Sequence, residues 1–321
     1  MSGMGVSPNG RDISLLRNED VGCCYRAIAS SGLRVVWEIT SSCNLACRHC
    51  FRTAPEGHDL DTARALSLVD EMIAAGVRKI AITGGEPLLR PDLTEITARL
   101  RSAGLLVKLA SNLTMIDPDT ARGLSEAGYL EVGFSLDGPE ATTHDYIRGH
   151  GAYARLVAAV AMLSSLQTVQ LNPVCVLGKF NFARLDEIVE KALTWGAASV
   201  TFSDLFLIDS PRVLAPREFV MAERLDTHAR EAALTRIAEL RRLYPEIAIR
   251  TVALSDESVA CSAGTSVVHV DPTGRVNPCT LYHLDPPISV HELTFSEALT
   301  ELAGRVFCEG TSLCRYLDQT W

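Results

Sequence analysis

Cys43, Cys47 and Cys50 stand in the run Cys43-Asn44-Leu45-Ala46-Cys47-Arg48-His49-Cys50. Thiolates at this spacing can hold three irons of a four-iron four-sulfur cluster, whose usual complement is four cysteines. The fourth iron is then open to a small molecule, which is a catalytic arrangement. Taken alone, the triad also suits a zinc knuckle or structural thiols.

Further chemistry-bearing segments follow in order: Gly84-Gly85-Glu86-Pro87, Ser111-Asn112, Ser135-Leu136-Asp137-Gly138 and His144-Asp145-Tyr146-Ile147-Arg148-Gly149. Adjacent glycines let a backbone approach a ligand closely. The elements that must position these segments are read from periodicity. Strand signals fall at 33–39, 79–83, 106–110, 130–135, 168–177 and 199–204, with helical stretches at 61–75, 91–103, 117–127, 152–166 and 182–195. Such βαβα alternation demands right-handed crossovers and a parallel sheet. The cysteine loop follows the first strand, the glycine pair the second, Ser111-Asn112 ends the third and Ser135-Leu136-Asp137 the fourth. All of them therefore belong at one mouth, at the strand C-termini.

The ordered CxxxCxxC, GGEP and SLDG motifs resemble those of the radical S-adenosylmethionine (radical SAM) superfamily. The resemblance implies an α/β fold, a partial (β/α)6 barrel, and S-adenosylmethionine chelating the open iron of the cluster. It implies that Gly84, Gly85 and Glu86 meet the amino group of the methionine moiety. Ser135 and Asp137 are expected at the ribose or carboxylate, and Arg148 is expected to pair with the carboxylate through its planar fork or to form a surface salt bridge. His49 occupies a position where relatives carry an aromatic residue whose backbone meets the adenine. Ser111 and Asn112 are expected near the methionine carboxylate or ribose, with turn chemistry the alternative for Asn112.

Beyond the sixth strand signal, 217–243 reads as one long polar helix and 247–254 as a strand. Cys261, a hairpin through Asp271-Pro272-Thr273-Gly274, and Cys279 follow, resembling a SPASM or twitch extension. With Cys308 and Cys314, four cysteines are available for a second, auxiliary 4Fe-4S cluster, although the spacing of the last two departs from tighter family patterns. Whether all four ligate, or three bind and one site stays exchangeable, is open at this level, and four buried free thiols are the bland alternative. The expected organisation is an N-terminal extension at 1–32, a radical SAM barrel at 33–210, a linking helix and strand at 211–254, and an auxiliary-cluster module at 255–321.

Glu38, Lys179, Asp204 and Cys175 are the candidates for substrate contacts or catalysis. Glu38 could face the lumen or salt-bridge a strand end; Lys179, with Asn181, and Asp204 follow strands five and six. Cys175, in an apolar strand, reads as a packed thiol, with a hydrogen-atom donor facing the barrel interior as the alternative. Cys23 and Cys24 precede the barrel and look incidental.

The net charge of −9 over 321 residues weighs against a phosphate-backbone substrate. No apolar stretch approaches a membrane span and no signal peptide is evident, so the expected location is cytoplasmic. Clustered cysteines in a reducing compartment read as metal ligands. The resemblance implies reductive cleavage of S-adenosylmethionine, hydrogen-atom abstraction, and ferredoxin or flavodoxin as electron donor. About 32 residues precede the first strand signal, fewer than a minimal leader-binding domain of roughly 50. The expected substrate is therefore a carbohydrate or nucleoside-type small molecule, first a sugar acid undergoing decarboxylation. Epimerisation or oxidation of an aminoglycoside or aminocyclitol, and then peptide (RiPP) maturation, are the alternatives. An iron-sulfur sensor that binds S-adenosylmethionine without turnover is the reading from another class.

Overall fold

A computed structural model describes residues 32–53, 57–128, 131–166, 168–207, 213–252, 263–264 and 266–306. Cys23, Cys24, Cys261, Cys308 and Cys314 lie outside the described residues.

The strands are β1 (Leu33–Glu38), β2 (Val77–Thr83), β3 (Leu106–Ser111), β4 (Glu131–Ser135), β5 (Gln170–Leu177), β6 (Ser199–Asp204), β7 (Ala248–Val252), β8 (Val267–Val270), β9 (Arg275–Asn277) and β10 (Ile288–Ser289). They form one sheet in the order β10-β9-β8-β1-β2-β3-β4-β5-β6-β7. Neighbours from β1 to β7 are parallel, β8 adds in parallel to β1, and β9 and β10 continue antiparallel. The helices are α1 (Thr62–Ala74), α2 (Leu93–Ser102), α3 (Pro118–Glu126), α4 (Ala141–Arg148), α5 (Ala152–Ser164), α6 (Leu185–Thr194), α7 (Arg217–Glu223), α8 (Thr227–Leu243) and α9 (Phe295–Val306).

Two features extend the six-unit expectation. The segment expected to link the barrel to a further module supplies a seventh parallel strand, with Val200 paired to Ile249 and Phe202 to Thr251. The single polar helix expected over 217–243 is two helices. The first ends at Glu223, and Asp226 caps the second by accepting from the Ala229 N–H at 2.8 Å, satisfying a donor that would otherwise be orphaned. The predicted hairpin is present as β8 and β9, its turn held by Asp271 Oδ1 accepting from the backbone N–H groups of Thr273 and Arg275. It continues the main sheet beside β1, with Val36 opposite His269.

Alternation along the strands separates two faces. Val35, Trp37, Ile80, Ile82, Val107, Leu109, Val132, Phe134, Leu171, Leu177, Val200 and Phe202 are buried beneath the helices. Their burial, worth about 1.5–3 kcal/mol for each large apolar side chain, fixes the register. The intervening residues, including Val36, Ala81, Thr83, Ala110, Ser135, Val174, Thr201 and Ser203, are half-buried on the other face. The motif loops follow the strand C-termini at the edge of that face.

Candidate active site

The cysteine loop is positioned by its first three residues. Thr40 Oγ1 donates to Asp59 Oδ2 at 2.6 Å, the Ser41 N–H donates to both Asp59 oxygens, and Arg52 donates to the Ser41 carbonyl at 2.8 Å. The GGE segment packs onto the same backbone. The Gly85 N–H donates to the Thr40 carbonyl and the Glu86 N–H to the Ser42 carbonyl, both at 2.8 Å. A Cβ at Gly85 would lie 1.9 Å from the Ser42 oxygen, and one at Gly84 (φ +135°) 2.5 Å from the Thr40 oxygen. The glycine pair thus serves the approach of one loop to the other.

Glu86 is fully buried. Its carboxylate accepts from Ser111 Oγ and the Asn112 N–H, both at 2.7 Å, and from the Leu88 N–H at 3.1 Å. Burial pushes its pKa up against these hydrogen bonds. The Asn112 amide donates to Asn44 Oδ1 at 2.9 Å and accepts from both the N–H and the hydroxyl of Thr114, while Asn44 donates to Thr114 Oγ1 at 2.8 Å. Asn112 therefore clasps the end of β3 to the cysteine loop, closer to the turn-chemistry alternative than to a free ligand contact.

Asp137, Arg148 and His49 form the opposite wall. Asp137 is fully buried, accepting from Arg148 Nε at 2.6 Å and from the Val176 N–H at 2.8 Å. Burial pushes its carboxyl up, but the Arg148 charge, His49, His144 and the backbone donor outweigh this and leave it below the usual carboxylate range. The Arg148 guanidinium also donates to Cys47 Sγ at 3.8 Å and meets His49 Nε2 at 3.3 Å. Arginine carries only donors, so His49 Nε2 accepts and its proton resides on Nδ1. Nδ1 is buried and without a partner among the described residues. Burial and the Arg148 charge lower the His49 pKa to about 4, so the ring is neutral at pH 7. Arg148, expected as a surface pair or a carboxylate ligand, is an inward bridge from α4 to the cysteine loop, because Asp137 offers it a buried partner. Ser135 is half-buried on the uncovered face.

The other predicted residues divide. Cys175 is fully buried on the helix-covered face, its thiol pushed well up by burial and contacted by Asn181 Nδ2 at 3.4 Å. Strand parity turns it away from Ser135 and Thr201, onto the face of its strand partner Phe202, where a packed thiol would sit. Asp204 is buried and held by Arg230 of α8 and the Leu205 N–H. Lys179 Nζ donates to the Ala222 carbonyl at 2.8 Å, and Asn181 is spent on Asp137 and Val176 carbonyls. All three are engaged within the fold: helices supply the partners of Asp204 and Lys179, and the backbone at β4 and β5 those of Asn181, which topology alone did not reveal. Glu38 lies on the uncovered face, 3.3 Å from His269 Nε2. Cys279 is half-buried directly beyond β9. Sequence reasoning missed Asp59, Asn44, Thr114, Arg52 and His269, whose partners are distant in the chain.

The thiols suit an iron-sulfur cluster. Cys43, Cys47 and Cys50 are free and at least partly accessible. Burial raises the Cys47 pKa, with Asp137, Cys50 and Cys43 adding to the rise and Arg148 opposing it. A cationic iron core would relieve that mutual repulsion. Among the described residues no three donors close on one point as a single metal ion requires; cubane ligands instead bind separate irons.

Residues 37–192 match the radical SAM superfamily model. The chain is 29% identical over 277 residues to the AdoMet-dependent heme synthase of Methanosarcina barkeri (strain Fusaro / DSM 804), spanning 79% of this chain and 78% of that protein. It is 28% identical over 297 residues to mycofactocin maturase MftC of Mycobacterium ulcerans (strain Agy99), spanning 89% and 73% respectively. In fold it resembles Streptococcus suis SuiB bound to S-adenosylmethionine, with TM-score 0.71 and 14% identity over 83% of this chain and 65% of that one. It likewise resembles anSMEcpe with bound AdoMet, with TM-score 0.63 and 20% identity over 84% and 80%. The parallel-dominated α/β architecture and the motif-bearing loops define a radical SAM protein. Residues 37–192 carry the pattern of the radical SAM superfamily, and the cofactors are a 4Fe-4S cluster and S-adenosylmethionine.

Proposed function

We propose that the enzyme abstracts a hydrogen atom from a carbohydrate or nucleoside-type substrate, foremost a sugar acid of the cytosylglucuronate kind that then loses its carboxylate. The observation that carries this reading is the uncovered sheet face beside the cysteine loop. Several of its side chains bear hydroxyls, namely Thr83, Ser135, Thr201 and Ser203, and they share the face with the charged Glu38, Lys108 and Glu131. Such a surface offers donors and acceptors to a polyhydroxy substrate.

In this reading Cys43, Cys47 and Cys50 hold three irons, and the GGE loop, His49, Ser135 and the Asp137–Arg148 pair hold S-adenosylmethionine. When bound and reduced, these cofactors supply a 5′-deoxyadenosyl radical able to remove hydrogen from an unactivated carbon. The chain's own task is to place that carbon within van der Waals reach and keep solvent out. Buried Glu86 and Asp137 serve it by fixing the loops, and neutral His49 serves it by adding no charge beside the nucleotide. Cys279, with Cys261, Cys308 and Cys314, is assigned to an auxiliary cluster, and a ferredoxin or flavodoxin to electron delivery. The proposed location is cytoplasmic; among the described residues no helix is long and apolar enough to cross a membrane.

A second reading is peptide maturation, favoured by the mycofactocin maturase relative that spans 89% of this chain. Product analysis separates the two. The anaerobically reconstituted, dithionite-reduced enzyme is given S-adenosylmethionine with cytosylglucuronic acid. 5′-Deoxyadenosine together with a sugar product lighter by one carbon dioxide supports the proposal. Turnover only on a linear peptide overturns it in favour of the second reading.

A further inference from the structure

Where β1 meets β8, Glu38 and His269 face each other, and the charge of Arg52, just beyond the cysteine loop, acts on the Glu38 carboxylate. Glu38 ends β1 on the uncovered face, five residues before Cys43, and keeps 15% of its side chain exposed. His269 of β8 is wholly buried, and among the described residues neither ring nitrogen has a hydrogen-bond partner. Its Nε2 stands 3.3 Å from Glu38 Oε1, an ion-pair distance without hydrogen-bond alignment. The exposed His283 ring covers it edge-on, with centroids 5.9 Å apart. Arg52 spends one terminal nitrogen on the Ser41 carbonyl, while its Nε is buried and, among the described residues, unpartnered.

Burial raises the Glu38 carboxyl, and His269, Arg52 and His283 outweigh it, so the group sits below its ordinary value and is ionised near neutrality. Leaving buried polar groups unpaired costs about 1–3 kcal/mol each, so orphans assembled in one place imply something that satisfies them. A single metal ion is a poor candidate, since no three donors converge here among the described residues. A hydroxyl both donates and accepts, which matches a carboxylate acceptor beside an imidazole N–H; a guanidinium matches a carboxylate.

We propose that the Glu38–His269–Arg52 corner is the substrate's hydroxy-acid subsite: Glu38 and His269 grip a hydroxyl, and Arg52 takes the adjacent carboxylate. This rests on the sugar-acid reading above and adds the residues that would enforce it. His269 acts here as a direct contact and also orients Glu38.

Equilibrium dialysis tests the subsite, using reconstituted holoenzyme with S-adenosylmethionine under anaerobic conditions. The probes are cytosylglucuronic acid and cytosylglucoside, which carries CH2OH in place of the carboxylate. The wild type is expected to prefer the acid about tenfold or more. Arg52→Gln should abolish that preference and Arg52→Lys should keep most of it, because the charge survives. Glu38→Gln and His269→Gln should weaken both probes about tenfold while leaving their ratio near the wild-type value. A purely structural role would not divide the effects by probe. Iron content and urea midpoints of each variant report folding independently. Folded variants with wild-type affinities and preference overturn the subsite while leaving the sugar-acid reading intact. A wild type that binds neither probe overturns both.

Discussion

Arg148 Nε lies 2.6 Å from Asp137 Oδ2, and the same guanidinium reaches Cys47 Sγ at 3.8 Å. The carboxylate at the end of β4 is thereby tied through one side chain to the cysteine loop after β1. Asp137→Asn leaves a buried arginine without its counter-charge, a change that typically costs about 3–5 kcal/mol. The expected result is a lower urea midpoint and weaker S-adenosylmethionine binding, measured on the reconstituted enzyme. A midpoint equal to wild type would mean that the pair is dispensable.

Gly85→Ala should prevent correct docking of the two loops, because its Cβ would meet the Ser42 carbonyl at 1.9 Å. Iron bound after anaerobic reconstitution should fall by several irons per chain. Gly123→Ala in α3 is the matched control: among the described residues nothing lies within 4 Å of the new Cβ. Relieving a helical glycine should leave iron content unchanged and raise stability by about 0.5–1 kcal/mol.

His144 is buried, accepts from the Asp137 N–H at 3.2 Å and is depressed to about 4, by burial first and by the Arg148 charge, against the pull of Asp137. A histidine whose folded pKa is lowered binds its proton more readily when unfolded. Its stabilising contribution is present above pH ~6.5 and is lost as pH falls toward 4. Stability of the wild type should decline through that window, and His144→Gln should flatten the slope by up to one proton. An identical slope in both proteins would contradict this placement.

Cys175 packs on the helix-covered face against Asn181. Cys175→Ala should therefore leave the reaction product and solvent-deuterium incorporation unchanged, at a stability cost of about 1 kcal/mol for the small cavity. Loss of deuterium incorporation at a substrate carbon would restore the thiol as a hydrogen-atom donor.

The cysteine triad, the glycine pair and the Ser135–Asp137 strand end were legible because short motifs at strand termini carry their own geometry. The hairpin was legible because Asp271-Pro272-Thr273-Gly274 is a local turn signal. What escaped depends on pairing across the chain. Asp59 and Thr40 meet across 19 positions, Asn44 and Thr114 across 70. β7 was readable as a strand, but its place beside β6 depends on α8 packing across the sheet. The roles of Asp204 and Lys179 were hidden for the same reason, their partners lying on α8 and α7.

Electron paramagnetic resonance of the reduced holoenzyme, with and without S-adenosylmethionine, tests the central claim most directly: that the Cys43–Cys47–Cys50 loop leaves one iron open to the nucleotide. Addition should shift the cluster signal, and the shift should vanish in a triple Cys43, Cys47 and Cys50→Ala protein. A cluster signal indifferent to the nucleotide, or one that survives the triple substitution with its response intact, would contradict the account.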